Sequence, residues 1–312
     1  MNEIELIQRL TASLPGNSSV ITGAGDDCAV LDLQIPDRWL LFKTDAIVEG
    51  VHFTRDLAPE KIGHKALARC LSDVAAMAGT PSAAVITLAL PRDFDPVFIQ
   101  AVYSGLNALA RRYQVAIVGG ETTTNPERIL LSVALVATVE KGKCLLRAGA
   151  KAGDAIFVSG ELGGSLAGRH LEFEPRLAEA SWLASNFEIH CAIDVSDGLA
   201  SDLPHLLRAG QVGAELLSEA IPISRAARLK AQTESSSKPP LLSALTDGED
   251  FELLFTVASK DAVSLLDAWK ARFPALALSC IGKVTPQPGL RIRDKRGLQP
   301  FTAHGYVHFK ES

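Results

Sequence analysis

Apolar and polar residues change their spacing repeatedly along the chain, and each change marks an element. Ile4 to Thr11 carries the spacing of a short amphipathic helix, and a glycine-rich turn then leads to an alternating strand over Cys28–Leu33. A second strand, Trp39–Thr44, ends at Asp45. Lys61–Ala78 and Pro96–Arg112 show helical periodicity, and between them Ala84–Leu90, apolar but for Thr87, reads as a buried strand. Val115–Val118 reads as a short strand stopping at Gly119-Gly120, and Arg128–Val139 as a longer one. Lys141–Gly153, rich in glycine and basic residues, is the expected domain boundary, giving units 1–142 and 143–312. The second unit opens with a strand at Ala155–Ser159 and has further strands near Cys191–Val195 and Phe251–Val257; Gln232–Pro240 reads as a solvent loop. Strand and helix signals alternate throughout, so the fold class is mixed α/β (α+β) in two domains.

At 312 residues, 47% apolar and 21% charged, the chain has the makings of two ordinary globular cores. Its net charge of −5, without a basic stripe, argues against nucleic acid or an anionic membrane as partner. No basic leader precedes an apolar run, and the most apolar stretch, Ile129–Val139, is too short to span a bilayer. Cys28, Cys70, Cys144, Cys191 and Cys280 form no C-x-x-C pair, which points to reduced thiols and a cytoplasmic setting.

Acidic residues stand where strands give way to glycine. Asp26-Asp27 lies in GAGDD, Asp45 at a strand end, Glu121 after Gly119-Gly120, and Asp194 and Asp197 flank Ser196 in DVSDG. Ligands of open α/β sheets gather at such strand ends, whereas any one Asp-Gly pair taken alone is ordinary turn chemistry. Asp73 adds a helical position. At about 100° per residue from Ile62 it falls near 20°, on the rim of the apolar stripe, with Lys65 and Arg69 on the adjoining polar side. Such a carboxylate needs a partner or a metal; a cation shared with the other acids is the reading it strengthens, and an ion pair with Arg69, one turn earlier, is the plainer alternative. Two converging carboxylates repel by roughly 4 kcal/mol at an effective dielectric near 20, so a cluster requires cations. Hard oxygen ligands select Mg2+, with Mn2+ as the alternative. Such clusters typically complete their coordination with substrate phosphates, which points to phosphoryl transfer. The common nucleotide signatures (a G-x-x-x-x-G-K-[ST] loop, the protein-kinase H-R-D and D-F-G sets) are absent.

The motifs GAGDDCAVL, KTDAIVEGVHF, KALARCLSDVAAMAGTP, VGGETT, RAGAKAGD, DVSDGLASDL, DGEDFELLFTV and GYVHF, in this order, resemble the thiamine-monophosphate kinases. These belong to the aminoimidazole-ribotide-synthetase-like ATP-binding superfamily. The resemblance implies an N-terminal α/β domain that dimerises and carries nucleotide, covered by a C-terminal α/β domain. It implies that Asp27, Thr44, Asp45, Asp73, Glu121 and Asp194 hold several Mg2+ ions on ATP, with Asp197 on a further ion. By the same resemblance Tyr113, Gly120, Glu121, Arg147 and Ser196 contact ATP, and His52, Glu249 and Tyr306 contact thiamine monophosphate. The partners implied are these two substrates and a second copy of the chain.

No general base is expected. A phosphate monoester has its second pKa near 6 and is already a dianion at neutral pH, so direct in-line transfer suffices. The sequence departs from the family at Glu121, where an Asp is usual, at Asp247, where a Gly is usual, and at Val307, where an Asp is usual. These departures leave open a different acceptor within the superfamily, or a non-catalytic nucleotide-binding paralogue. Other superfamily members fit less well. Thr44-Asp45 does not continue into a TDGVGTK-like run, and no cysteine lies near either terminus, Cys28 being the first and Cys280 the last.

Overall fold

A computed structural model describes residues 3–234, 237–302 and 305–306. The first unit runs α1 (Glu3–Thr11), β1 (Val20–Thr22), β2 (Ala29–Leu31), β3 (Arg38–Val48), α2 (Pro59–Ala76), β4 (Thr80–Leu90), α3 (Pro96–Arg112), β5 (Ala116–Thr124) and β6 (Leu130–Glu140). Its strands form one sheet in the order β1-β2-β3-β6-β4-β5, with β4 and β5 parallel and the other pairs antiparallel. The parallel pair follows from the helical crossover α3. That helix begins at Pro96 because the Asp95 carboxylate accepts a hydrogen bond from the Val97 N–H at 2.8 Å.

The second unit runs β7 (Ala155–Ser159), α4 (Leu177–Asn186), β8 (Ile189–Asp194), α5 (Leu199–Gly210), β9 (Gly213–Leu217), α6 (Arg225–Thr233), α7 (Pro240–Thr246), β10 (Leu253–Val257), α8 (Ala262–Arg272), β11 (Leu278–Thr285), β12 (Gly289–Asp294) and β13 (Gly297–Pro300). The sheet order is β13-β12-β9-β11-β7-β10-β8. Alternate residues of β7 and β8 enter different cores: Ile156, Val158 and Ile193 pack with α5 and α7 residues, while Phe157 and Ala192 pack with α4 and α8 residues. Helices therefore cover both faces of this sheet, as the wholly buried strands β7 and β10 require.

Two strands outrun their expected ends. β3 continues past Asp45 to Val48 because β6 pairs with it from Arg38↔Glu140 to Val48↔Leu130. β5 continues through Gly119-Gly120 to Thr124 because β4 pairs with that stretch. Gly120 makes this pairing feasible. Its φ is +157°, and a Cβ there would lie 1.8 Å from the Ile86 carbonyl oxygen. Ser235 and Ser236 of the expected loop, and Val307, lie outside the described residues.

Helix α2 is enclosed. Strands β3, β6 and β4 cover one side, α3 another, and α4 and β8 of the second unit the remainder. Lys65 and Arg69 therefore do not face solvent as their polar character predicts, and Lys65 is 0% exposed. Phe173 and Phe251 of the second unit join the same core, stacked at 3.9 Å. Among the described residues no helix is long and apolar enough to cross a membrane.

Helices α2 and α3 approach closely at two glycines. A Cβ on Gly63 would lie 1.8 Å from the Val102 carbonyl oxygen, and one on Gly105 1.8 Å from that of Glu60. Gly63→Ala is expected to destabilise the protein by about 1–3 kcal/mol in urea unfolding through overpacking, against a helix-propensity gain of about 1 kcal/mol. A net gain in stability would show that this contact does not set the helix spacing.

Candidate active site

Asp27 from the turn before β2, Asp73 from the last turns of α2 and Asp194 at the end of β8 each offer a carboxylate oxygen, all within 4.8 Å of one another. All three are buried. The protein answers their charge with specific donors. Arg147 Nε donates to Asp27 Oδ1 at 3.1 Å with Nη2 on the same oxygen, Lys43 Nζ lies 2.9 Å from Asp73 Oδ1, and Ser72 Oγ donates to Asp194 Oδ2 at 2.6 Å. The Arg147 N–H also donates to Asp26 Oδ2 at 3.1 Å.

These donors do not fully offset burial. Desolvation pushes Asp27 up to about 7 against the pull of Arg147, with the Asp194 charge adding to the rise. Burial likewise raises Asp73 well above the carboxylate range despite Lys43, and raises Asp194 despite Ser72. Asp27 Oδ2 is buried and accepts no hydrogen bond among the described residues. Three oxygen ligands around an unsatisfied buried carboxylate fit a hard divalent cation such as Mg2+ or Mn2+.

The remaining expected ligands are distributed around this centre. Asp45 accepts from Arg69 Nε at 3.0 Å and from the Ala46 N–H at 2.9 Å. Asp73 thus pairs with Lys43 and not with Arg69, because Arg69 is taken by Asp45. Thr44 and Glu121 lie on the sheet face turned away from α2. Thr44 is in register with Ala134 and Val85, and Glu121 with Thr87, itself paired with Ser132 and Ala46. Thr44 Oγ1 is 3.4 Å from Ser132 Oγ, and Glu121 Oε1 accepts from the Thr122 N–H at 3.0 Å. The geometry does not bring these two to the three aspartates. Tyr113 closes α3 and donates to Glu174 Oε2 at 2.8 Å, while Gly120 lies on edge strand β5. The Asp197 N–H donates to the buried carboxylate of Asp202 at 3.0 Å, which fixes the turn after β8.

A pocket adjoins the centre, lined by His52, Arg69, Ser196, Glu249, Phe251 and Tyr306, with Asp197 and Asp247 also on its wall. His52 Nδ1 accepts from the Val48 N–H at 3.1 Å, so the neutral ring carries its proton on Nε2. Glu249 is held from below. Lys65 Nζ donates to Glu249 Oε2 at 2.7 Å and to the His52 carbonyl oxygen at 2.9 Å, and lies 2.8 Å from His170 Nδ1. His170 Nδ1 is in turn 2.9 Å from Glu249 Oε2. Asp247 pairs with Lys238 at 3.0 Å and accepts from the Gly164 N–H at 3.1 Å.

Glu249 and Phe251 have φ of 53° and 52°, a left-handed backbone that non-glycine residues adopt at a cost of about 1 kcal/mol or more each. Neighbouring bonds impose it: the Glu249 N–H donates to the Ser196 carbonyl at 2.6 Å, the Phe251 N–H to that of Val195 at 2.7 Å, and Asp250 accepts from the Gly163 N–H at 2.9 Å.

Lys43, Ser72, Lys65, His170 and Asp202 are the site residues that sequence reasoning missed. A signal existed for some. Lys65, Arg69 and Asp73 recur every fourth residue on one face of α2, and Lys43 is two residues from Asp45, hence on its face of the strand.

Two α/β units bring three buried carboxylates together beside a pocket, a donor set that fits a hard cation. Residues 25–139 match the N-terminal domain of AIR synthase related proteins and residues 151–295 the C-terminal domain. The thiamine-monophosphate kinase of Rhodopirellula baltica is 41% identical over 96% of this chain and 93% of its own length. That of Bacillus subtilis is 32% identical over 99% and 100%. Among solved structures, AaThiL complexed with AMPPCP and TMP superposes with a TM-score of 0.81 at 31% identity, covering 99% of this chain and 97% of that one. The HypE–HypF complex, at 18% identity and a TM-score of 0.76, shares the fold alone. The chain belongs to the AIR synthase related proteins and, within them, to the thiamine-monophosphate kinase family.

Burial alone would raise the Glu249 carboxyl, but the His170 and Lys65 contacts overcome it and hold it near 2 instead of 4.5. A carboxyl depressed on folding stabilises the protein above its unfolded pKa and loses that contribution as pH falls through the folded value. Wild type is therefore expected to lose up to about 3 kcal/mol from this group between pH 4.5 and 2. Glu249→Gln should show a shallower acid limb in urea unfolding; identical acid limbs would dissolve the proposed link between Glu249 and Lys65.

Proposed function

We propose that this chain transfers the γ-phosphoryl group of ATP to thiamine monophosphate, giving thiamine diphosphate. The observation that carries the reading is the convergence of His52, Glu249 and Tyr306, from three distant segments, on one pocket beside the buried aspartates. Relatives named thiamine-monophosphate kinase over nearly the full chain, and a structural neighbour bearing AMPPCP and TMP, support it.

Each pocket residue suits one part of the acceptor. His52 donates from Nε2–H to the phosphate. Glu249, kept ionised by Lys65 and His170, accepts from the aminopyrimidine, and Tyr306 offers its ring face to the cationic thiazolium. Arg147 and Ser196 flank the ATP phosphates. Asp27, Asp73 and Asp194 would hold Mg2+, with Asp45 and Asp197 beside them, and the ion would neutralise charge between two polyanions. Thr44, Glu121, Gly120 and Tyr113 stand apart from this inner centre and are assigned to the nucleotide side. The acceptor phosphate is already dianionic, so no side chain has to remove a proton.

The reading extends to assembly and location. The sheet face turned away from α2 leaves Phe42 49% and Val85 39% exposed, and an apolar strip of this kind supports pairing of two copies in a homodimer. Cys28, Cys70, Cys144, Cys191 and Cys280 are all free thiols, which suits a cytoplasmic enzyme.

A product assay with ATP, Mg2+ and thiamine monophosphate tests the activity directly. Thiamine diphosphate is expected, with unphosphorylated thiamine a poor acceptor, and the reverse preference would overturn the assignment. Asp73→Asn should lower turnover more than about 100-fold while the protein stays folded. His52→Ala should raise the acceptor KM about 10-fold or more, the loss of one charge-assisted hydrogen bond, with a much smaller change for ATP.

A further inference from the structure

We propose that Lys43 is a built-in counter-ion of the aspartate centre. It stands at Asp73 where a second divalent cation would otherwise bind, so that the nucleotide-free protein holds one such ion. This rests on the reading of Asp27, Asp73 and Asp194 as a cation site.

The argument begins with the sheet. Lys43 and Asp45 project from the same face of β3, toward α2, because strand side chains alternate. Asp73 descends from α2 onto that face, and Lys43 Nζ meets its Oδ1 at 2.9 Å. Both partners are largely enclosed, with side chains 23% and 11% exposed. An ion pair in such a place is costly to break by removing one member, since the other is left desolvated and alone.

The same pattern holds across the centre. Donors from the protein take one oxygen of each carboxylate: Arg147 takes Asp27 Oδ1, Lys43 takes Asp73 Oδ1, and Ser72 takes Asp194 Oδ2. One oxygen of each remains, and Asp27 Oδ2 is buried without any partner among the described residues. Three single oxygens drawn from three residues make a set for one ion. Charge gives the same answer. When ionised, Asp26, Asp27, Asp73 and Asp194 carry four negative charges against the two positive charges of Lys43 and Arg147, which leaves two, the charge of one divalent cation, while Asp45 is balanced separately by Arg69. The expectation of several Mg2+ ions concerns the ATP complex, in which phosphate oxygens add ligands, and is separate from this count.

Lys43 and an ion cannot share one oxygen lone pair, so removing the ammonium should open a coordination place at Asp73. The test is titration of the nucleotide-free protein with Mn2+, following free ion by its paramagnetic resonance signal. Wild type should bind one Mn2+ per chain. Lys43→Ala should bind a second, or bind the first at least about 10-fold more tightly, and Lys43→Arg should keep the wild-type count. Should alanine not fold, Lys43→Met keeps the length of the side chain without a donor or a charge and should behave as alanine is expected to. A variant that folds only when Mn2+ is present supports the proposal equally, because the ion then replaces the ammonium. Two or more ions in wild type, or unchanged count and affinity in the uncharged variants, overturn it. Binding of no Mn2+ by wild type or any variant overturns instead the reading of the three aspartates as a cation site.

Discussion

Charge buried on helix α2 is the constraint to which the rest of the molecule conforms. Lys65, Arg69 and Asp73 lie on one face of a helix that two sheets and α3 enclose. An unpaired ion in such surroundings costs several kcal/mol, so each must find a partner, and none finds it on the helix itself. Lys65 reaches His52, His170 and Glu249; Arg69 reaches Asp45; Asp73 reaches Lys43 and faces Asp27 and Asp194. These partners come from β2, β3 and their flanking turns on one side and from the second unit on the other. Satisfying three charges therefore fixes how the two units meet, and the active site lies in the seam.

The two halves of the site are joined through the same helix. Arg69 Nε is 3.0 Å from Asp45 and its Nη1 is 3.8 Å from Glu249, so one guanidinium spans from Asp45 to the pocket lined by His52, Glu249 and Tyr306. Lys65, one turn earlier, ties the His52 carbonyl of the first unit to Glu249 of the second. The strained backbone at Glu249 and Phe251 belongs to this arrangement, since it turns the Glu249 carboxylate back toward Lys65 and not out along the loop. A pocket whose opposite walls share one buried ammonium has a defined width before any ligand arrives, which is preorganisation in its simplest form.

Much of this was legible in the sequence where the deciding interactions are local. Helix α3 begins at Pro96 as expected, because an Asp cap and a proline at the first helical position are sequence signals. The apolar strand β7 and the rim position of Asp73 follow equally from short-range pattern. What failed depends on register and on distant partners. Asp45 and Glu121 sit inside strands because β6 and β4 pair past them. Thr44 and Glu121 fall on the far sheet face, which adjacency in a motif does not reveal. The ion pair of Asp73 with Lys43 crosses from helix to strand, so spacing along the helix could not reveal it. Lys65 looked like a surface lysine because nothing within helical reach of it is acidic; its carboxylate is 184 residues away.

That last separation has a consequence for how the chain is made. A ribosome adds roughly 5–20 residues per second, so about ten to forty seconds pass between the emergence of Lys65 and that of Glu249, 184 residues later. Once β6 has emerged, α2 has its own sheet and α3 to pack against, but still not the half of its surroundings that neutralises Lys65. The nascent first unit must hold this lysine in water and leave the helix partly uncovered, with Ile62 and Leu67 beside an unfinished seam. Completion of the second sheet is then the event that dehydrates the ammonium. The site and the last step of folding arise together.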